Sequence, residues 1–103
     1  MIFASMSESA DRGELLLVPD GMCRWRVRKD GVVVIREILV IPVRRRTGVG
    51  RRMLEYVREV THGARMLARC PVAYESNRFW QAMGFSLTIS EDGINTWVLP
   101  ARN

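Results

Sequence analysis

The hydrophobic pattern changes its period at Pro42, and this change constrains the fold more than any other feature of the sequence. Residues 32–41 read VVVIREILVI, a mostly apolar run typical of a strand that is covered on both faces. Pro42 ends the run, because proline cannot donate a ladder hydrogen bond. Beyond it, apolar side chains recur at helical spacing. They are Val49, Met53, Val57 and Val60.

Shorter segments on both sides of this unit complete the predicted order of elements. Residues 22–28 alternate between apolar and arginine side chains, as in a strand with one buried and one wet face. The other predicted strands are residues 14–18, 64–72, 85–90 and 94–99, and a second helix is predicted over residues 75–83. The order is three strands, helix, strand, helix, two strands. It predicts an α+β fold, an α/β sandwich with a mixed, mostly antiparallel sheet of about six strands and two main helices.

Length and charge limit the possible functions. The 103 residues suffice for a single domain, 1–103, and residues 1–13 have no period, which predicts a poorly ordered or loosely docked terminus. The formal charge is +5, and Lys29 is the only lysine, so arginine carries nearly all of the positive charge. Such a surface favours phosphate, carried either by nucleic acid or by a phosphorylated cofactor.

The two cysteines and the amino terminus indicate the compartment. Cys23 and Cys70 lack the paired spacing of a metal site, so we predict that both are packing residues and that no metal is bound. The opening MIFASM is too short for a signal peptide and lacks a basic flank. No apolar run approaches the roughly 20 residues that span a bilayer. We therefore expect a cytoplasmic protein without a membrane partner.

Arginines and glycines are concentrated where the central strand gives way to the helix. Residues 42–52 read PVRRRTGVGRR. The first N–H groups of a helix have no internal partner and carry a partial positive charge, so this turn can bind a pyrophosphate, with arginines around its rim. The alternative is a solvated turn whose glycines serve only its geometry. The segment has neither the Lys-Ser or Lys-Thr of a Walker loop nor the three glycines of a dinucleotide fingerprint.

Two motifs resemble the GNAT superfamily of acetyl-CoA-dependent N-acetyltransferases. The family signature is Arg or Gln, two residues, Gly, one residue, then Gly or Ala, and Arg45, Gly48 and Gly50 fill its three places in ILVIPVRRRTGVGRRMLEYV. SNRFWQAMGF, residues 76–85, is similar to the later family motif, an aromatic pair followed by Gly-Phe. The resemblance implies that the strand over residues 32–41 splays from the next strand, near residues 66–69. Pantetheine would lie in that gap and pyrophosphate on the turn. The cofactor residues implied are Ile38, Val40, Arg45, Arg46, Thr47, Gly48, Val49, Gly50 and Arg51.

The resemblance also indicates where the residues that transfer protons would lie. Glu37 is the one acid of the central strand and our candidate general base, the alternative being a surface carboxylate paired with an arginine such as Arg36. Trp80 stands where relatives carry a tyrosine that serves as proton donor, and Ala73 where they often carry asparagine. An indole cannot act as an acid, so Tyr74 or water would replace it, and Trp80 is otherwise a core residue. His62, at the end of the first helix, is interpreted as structural.

Two functions follow from these features. The first is transfer of the acetyl group of acetyl-CoA to an amine of a small molecule or protein. The second is a binding module of GNAT-like fold with little or no catalysis, which holds CoA or, through Arg24, Arg26 and Arg28, nucleic acid, the less favoured partner. Relatives insert two helices after the first strand, and this chain has no room for them between Val18 and Met22. The acceptor side would then be open or completed by a second subunit in a homodimer.

Overall fold

The computed structural model describes residues 2–102, with side chains described from residue 6 onward. The sheet contains six strands, and three α-helices and one 3₁₀ helix connect or precede them. In chain order the elements are α1 (Ile2–Asp11), β1 (Leu15–Val18), β2 (Gly21–Val27), β3 (Val33–Val40), the 3₁₀ helix η1 (Pro42–Arg44), α2 (Val49–Val60), β4 (Met66–Pro71), α3 (Ser76–Ala82), β5 (Ser86–Glu91) and β6 (Ile94–Leu99). The predicted α+β fold is confirmed, and each predicted strand is present.

The sheet has the order β1-β2-β3-β4-β6-β5, and its neighbours are antiparallel except for β3 and β4. These two parallel strands pair at only three positions, from Val33 opposite Met66 to Ile35 opposite Ala68. Beyond these positions β3 continues to Val40 and β4 to Pro71, but the two strands no longer pair with each other. The predicted divergence of the two strands is therefore present, and it opens towards their carboxyl ends.

One face of the sheet packs against α2 and α3. α2 buries the predicted stripe through Val49, Met53 and Val57, while Val60 at its end is exposed. The two helices meet where α2 begins, because a Cβ on Gly50 would lie 2.7 Å from the Phe79 ring of α3. Burial of these apolar side chains against the sheet supplies the main driving force for the fold.

The amino-terminal segment differs from the prediction. The sequence predicts a poorly ordered or loosely docked terminus over residues 1–13, whereas residues 2–11 form the helix α1. Ser9 in α1 and Glu14 after it are buried, and the Glu14 carboxylate accepts a hydrogen bond from the backbone N–H of Val27 in β2 at 2.8 Å. The helix precedes β1 instead of following it, and it lies against β1 and β2. Within residues 2–102, no helix is long and apolar enough to cross a bilayer.

Candidate cofactor and active site

The candidate site lies where β3 and β4 diverge. The carboxyl ends of parallel strands lie at the same edge of a sheet, so the segments after β3 and after β4 flank one opening. On the β3 side these are η1 and the turn into α2, and on the β4 side the loop of residues 72–75. The sheet thus presents a gap with an arginine-rich turn at its mouth.

The backbone of β3 turns the predicted residues towards this gap. Ile41 donates its N–H to the Asp20 carbonyl beside β2 at 2.8 Å, and the Leu39 carbonyl also faces β2, against Gly21. Residues of an antiparallel strand alternate in the side to which they direct their N–H and C=O groups. Ile38 and Val40 therefore direct theirs away from β2, into the gap, as the prediction requires.

A β-bulge marks the point at which the gap begins. Glu37 lies opposite Arg24 of β2 and Ile35 lies opposite Trp25, so Arg36 is the extra residue of β3. Ile35 is also the last β3 residue that pairs with β4. The bulge and the divergence of the strands therefore coincide at Arg36, a coincidence that the hydrophobic pattern does not reveal.

The turn into α2 carries a run of unpaired amides. Arg45 donates its N–H to the Pro42 carbonyl at 3.3 Å, and Arg52 donates to the Gly48 carbonyl at 3.0 Å. Between them, no amide from residue 46 to residue 51 makes a backbone hydrogen bond of good geometry within the described part of the chain, although residues 45–48 form a turn. Six consecutive N–H groups are thus free at a helix N-terminus, where the helix dipole favours negative charge. The amide of Arg45, which the prediction included, is already used.

The two glycines of the motif serve different purposes. Gly48 is the N-cap of α2 with φ +90°, a left-handed conformation that strains any other residue. Arg46 also has a positive φ, +64°. Such turns direct successive N–H groups into one concave surface. Gly50, in contrast, is needed because Phe79 packs against its Cα.

Of the arginines around this turn, Arg44 and Arg45 bind other protein groups, whereas Arg46 and Arg51 do not within the described residues. Arg44 pairs with Asp20 at 3.3 Å, and the Arg45 side chain donates to the Val40 carbonyl, also at 3.3 Å. Arg46 and Arg51 are exposed and have no hydrogen bond or ion pair with any side chain described from residue 6 onward. Thr47 donates its hydroxyl to the Arg44 carbonyl and closes the turn.

Glu37 is held by an arginine of the neighbouring strand. Its Oε1 accepts from Arg24 Nε at 2.9 Å and lies 2.7 Å from Arg24 Nη2. Glu37 is thus paired with an arginine, as the alternative interpretation expected, but the partner is Arg24 and not Arg36. Oε2 has no protein partner among the described residues, and the side chain is 30% exposed. The ion pair fixes the orientation of the carboxylate and leaves one oxygen free.

The aromatic residues of the later motif belong to the core. Trp80 is buried, and its ring makes edge contacts with Phe79 and Phe85, each with centroids 5.1 Å apart. Tyr74 lies in the loop after β4 and is 61% exposed, on the opposite side of the gap from the turn. Tyr74, unlike Trp80, carries a hydroxyl group, and its exposed side chain lies near this edge of the sheet.

Asn77 organises this loop, and the sequence analysis missed it. Its amide nitrogen donates to the carbonyls of Pro71 at 2.9 Å and Tyr74 at 2.8 Å. Its amide oxygen accepts from Asn95 at 3.0 Å and from the Trp97 indole at 2.8 Å. One side chain thereby joins the end of β4, the start of α3 and β6. These partners lie up to 20 residues away, so no local pattern identifies the role.

The remaining reactive side chains have structural roles. Cys23 is buried, and burial raises the pKa of its thiol from 9.0 to about 12, which makes it a poor nucleophile. Cys70 is also buried, with its sulfur 3.2 Å from the Ser76 hydroxyl. His62 follows α2 in a left-handed conformation with φ +56° and lies away from the gap.

Comparisons with known proteins show the fold. No protein-family model matches the chain, and no curated protein sequence does. Among solved structures, the PaiA N-acetyltransferase from Thermoplasma acidophilum in complex with coenzyme A matches 98% of this chain and 69% of its own length, with a TM-score of 0.81 and 8% identity. The ribosomal-protein-S18-alanine N-acetyltransferase from Escherichia coli matches 82% of this chain at a TM-score of 0.66 and 18% identity.

A third likeness is to a proposed streptothricin acetyltransferase from Bacillus anthracis in complex with acetyl coenzyme A, with a TM-score of 0.70 and 14% identity over 80% of this chain. The chain spans 63% of the length of the E. coli enzyme and 56% of the B. anthracis protein. A further neighbour, from Desulfovibrio desulfuricans, is described as a proposed acetyltransferase of the GNAT family and has a TM-score of 0.74 at 16% identity. The chain therefore has the GNAT acetyltransferase fold.

Proposed function

We propose that this chain is an acetyl-CoA-dependent N-acetyltransferase that transfers the acetyl group to an amine of a small molecule or protein. The observation that carries the proposal is the run of six unpaired amides, residues 46–51, at the mouth of a gap between two parallel strands. A pyrophosphate can accept several such N–H groups at once. Solved structures of this fold that contain coenzyme A or acetyl coenzyme A support the same cosubstrate.

The residues of the gap suit the rest of the cosubstrate. Pantetheine carries amide groups, and the N–H and C=O groups that Ile38 and Val40 direct into the gap can bond them as a neighbouring strand would. The Val40 carbonyl is held by Arg45 at 3.3 Å, a long and therefore weak hydrogen bond. We expect Arg45 to leave this carbonyl when the cosubstrate binds and to join Arg46 and Arg51 on the phosphates.

Acetyl-CoA supplies an activated acetyl group on sulfur, and the chain must supply orientation and proton transfer. Glu37, at the start of the gap, is the proposed base that removes the proton of the acceptor amine, directly or through water, with its free Oε2. Tyr74 or water is proposed to return a proton to the departing sulfur. Arg24 holds the Glu37 carboxylate in place for this task.

A CoA-binding module with little catalysis is the second candidate, and the buried Trp80 favours it because no acid stands at that position. Nucleic-acid binding gains no support from the predicted arginine face of residues 24–28. Arg24 is paired with Glu37, and Arg28 is paired with Asp30 at 2.6 Å, so the expected stripe of free positive charge is interrupted.

Calorimetry with CoA and acetyl-CoA, followed by a thiol-release assay with a panel of amines, tests the proposal. The double variant Arg46→Glu and Arg51→Glu should weaken CoA binding more than tenfold, since it places two like charges beside the phosphates. Arg65→Glu is the matched control, because Arg65 is exposed and lies at the closed end of β4. If the native chain does not bind CoA, or if Arg65→Glu weakens binding as much as the double variant, the proposal is wrong. CoA binding without thiol release from any amine would favour the second candidate.

A further inference from the structure

A small charged cleft lies on the sheet face opposite α2 and α3. It has a volume of about 130 Å³, and α1 forms one wall. Its lining includes four arginines and two glutamates, a formal charge of 4 − 2 = +2. They are Arg12, Arg24, Arg26, Arg36, Glu8 and Glu14. Neither the motifs nor the proposed cofactor site accounts for this cleft.

The cleft adjoins the proposed reaction centre. Arg36 lines it and is the bulged residue at which β3 leaves β4. Arg24 lines it as well and holds the Glu37 carboxylate at 2.7 Å. Arg24 therefore connects the cleft to the proposed base, which does not itself line it. The turn into α2 belongs to the other side of the sheet.

The charges of the cleft select for an acceptor that carries a carboxylate. Arg12, Arg26 and Arg36 have no hydrogen bond or ion pair with the side chains described from residue 6 onward, so their guanidinium groups are available to an anion. Guanidinium binds carboxylate through two parallel hydrogen bonds. A polycationic amine would instead meet three unpaired positive charges.

The cleft also offers negative charge. Glu14 is 8% exposed, and its Oε2 accepts the Val27 N–H. Its Oε1 has no hydrogen-bond partner among the described residues, and since no buried polar side-chain atom among them lacks one, Oε1 is accessible to solvent. Groups of both signs around a small volume suit a zwitterion. The volume is also below the roughly 300–1,000 Å³ typical of pockets for drug-sized ligands.

We infer that the acceptor is a free amino acid, bound in this cleft with its carboxylate on Arg26 and Arg36. This inference rests on the proposed function and names its substrate class. The ammonium group of the zwitterion first gives one proton to Glu37, which passes it to solvent. The neutral amine nitrogen then forms a bond to the acetyl carbon, the carbon–sulfur bond breaks, and the second proton lost by the nitrogen ends on the CoA sulfur. The products are an N-acetylamino acid and CoA.

The test compares free amino acids with their carboxamides, which keep the amine and lack the carboxylate. Thiol release should show a kcat/KM at least tenfold higher for an amino acid than for its carboxamide, and spermidine should be a poor acceptor. Arg36→Gln and Arg26→Gln should raise KM for the amino acid about tenfold without changing KM for the carboxamide or the affinity for CoA. Arg65→Gln should change none of these three quantities. A carboxamide or spermidine used as well as the amino acid would overturn the inference.

Binding measurements separate this inference from the proposed function. Titration of an amino acid into the CoA-saturated protein, followed by NMR, should shift the side-chain signals of Arg26 and Arg36. Such shifts without thiol release would contradict catalysis and leave the inferred ligand class intact. Absence of shifts with every amino acid would overturn the inference, even if CoA binds.

Discussion

Replacement of Gly48 by alanine separates the proposed cofactor role of the turn from its contribution to stability. Gly48 has φ +90° at the N-cap of α2, and a Cβ there would meet only the flexible end of Arg52, at 2.9 Å from Nη1. The cost is therefore mainly that of a left-handed backbone, about 1–2 kcal/mol. For a domain of this size that corresponds to a decrease of roughly 4–16 °C in the unfolding midpoint.

Gly31→Ala is the matched control. Gly31 has φ +87° in the turn between β2 and β3, and a Cβ there would meet nothing within 4 Å. Both variants should lose similar stability in thermal unfolding. Only Gly48→Ala should weaken CoA binding, because relaxation of its φ turns the neighbouring amides away from a shared anion. Loss of one charge-assisted hydrogen bond lowers affinity roughly tenfold to a hundredfold. If calorimetry finds the same CoA affinity in both variants, the turn does not bind the diphosphate.

Three further variants or conditions test separate parts of the account. Glu37→Gln should lower kcat by about 10²–10⁴ while leaving CoA affinity unchanged in calorimetry, and unaltered turnover would remove Glu37 as the base. Asn77→Ala should lower the free energy of unfolding by about 2–4 kcal/mol in urea titrations, because it leaves the Trp97 indole and two backbone carbonyls without their hydrogen-bond partner. A loss below about 0.5 kcal/mol would contradict the role of Asn77 in joining β4, α3 and β6. The raised pKa of Cys23 keeps its thiol neutral in the folded state. The contribution of this thiol to the free energy of unfolding should therefore be constant below pH 9.0 and fall, by up to about 1.4 kcal/mol per pH unit, as the pH rises towards about 12. Cys23→Ala should remove this dependence.

Much of the fold could be predicted because its signals are local. The alternation of residues 22–28 and the change of period at Pro42 gave the positions of β2, β3 and α2. The divergence of β3 from β4 followed from the motif resemblance, and the paired residues confirm it. α1 was missed because it is held by contacts to β1 and β2, and its Ser-rich sequence has no clear pattern that predicts these contacts.

The candidate site could be predicted only where one segment forms it. The turn over residues 42–52 contains its own amides and arginines, so the sequence alone indicates a candidate anion site there, which stays a prediction. The partner of Glu37 could not be assigned, because the bulge at Arg36 sets the register that brings Arg24 opposite it. Likewise, Gly50 reads as a phosphate-binding glycine until Phe79, 29 positions later, is seen to pack against it.

The most direct test of the account is a titration of the ¹⁵N-labelled protein with CoA, followed through its backbone amide signals. We predict that the amides of residues 46–51 show the largest shifts, that Ile38 and Val40 follow, and that inorganic pyrophosphate shifts the turn but not β3. Shifts confined to other regions, or a turn that does not respond to CoA at saturation, would contradict the claim that these amides bind a diphosphate.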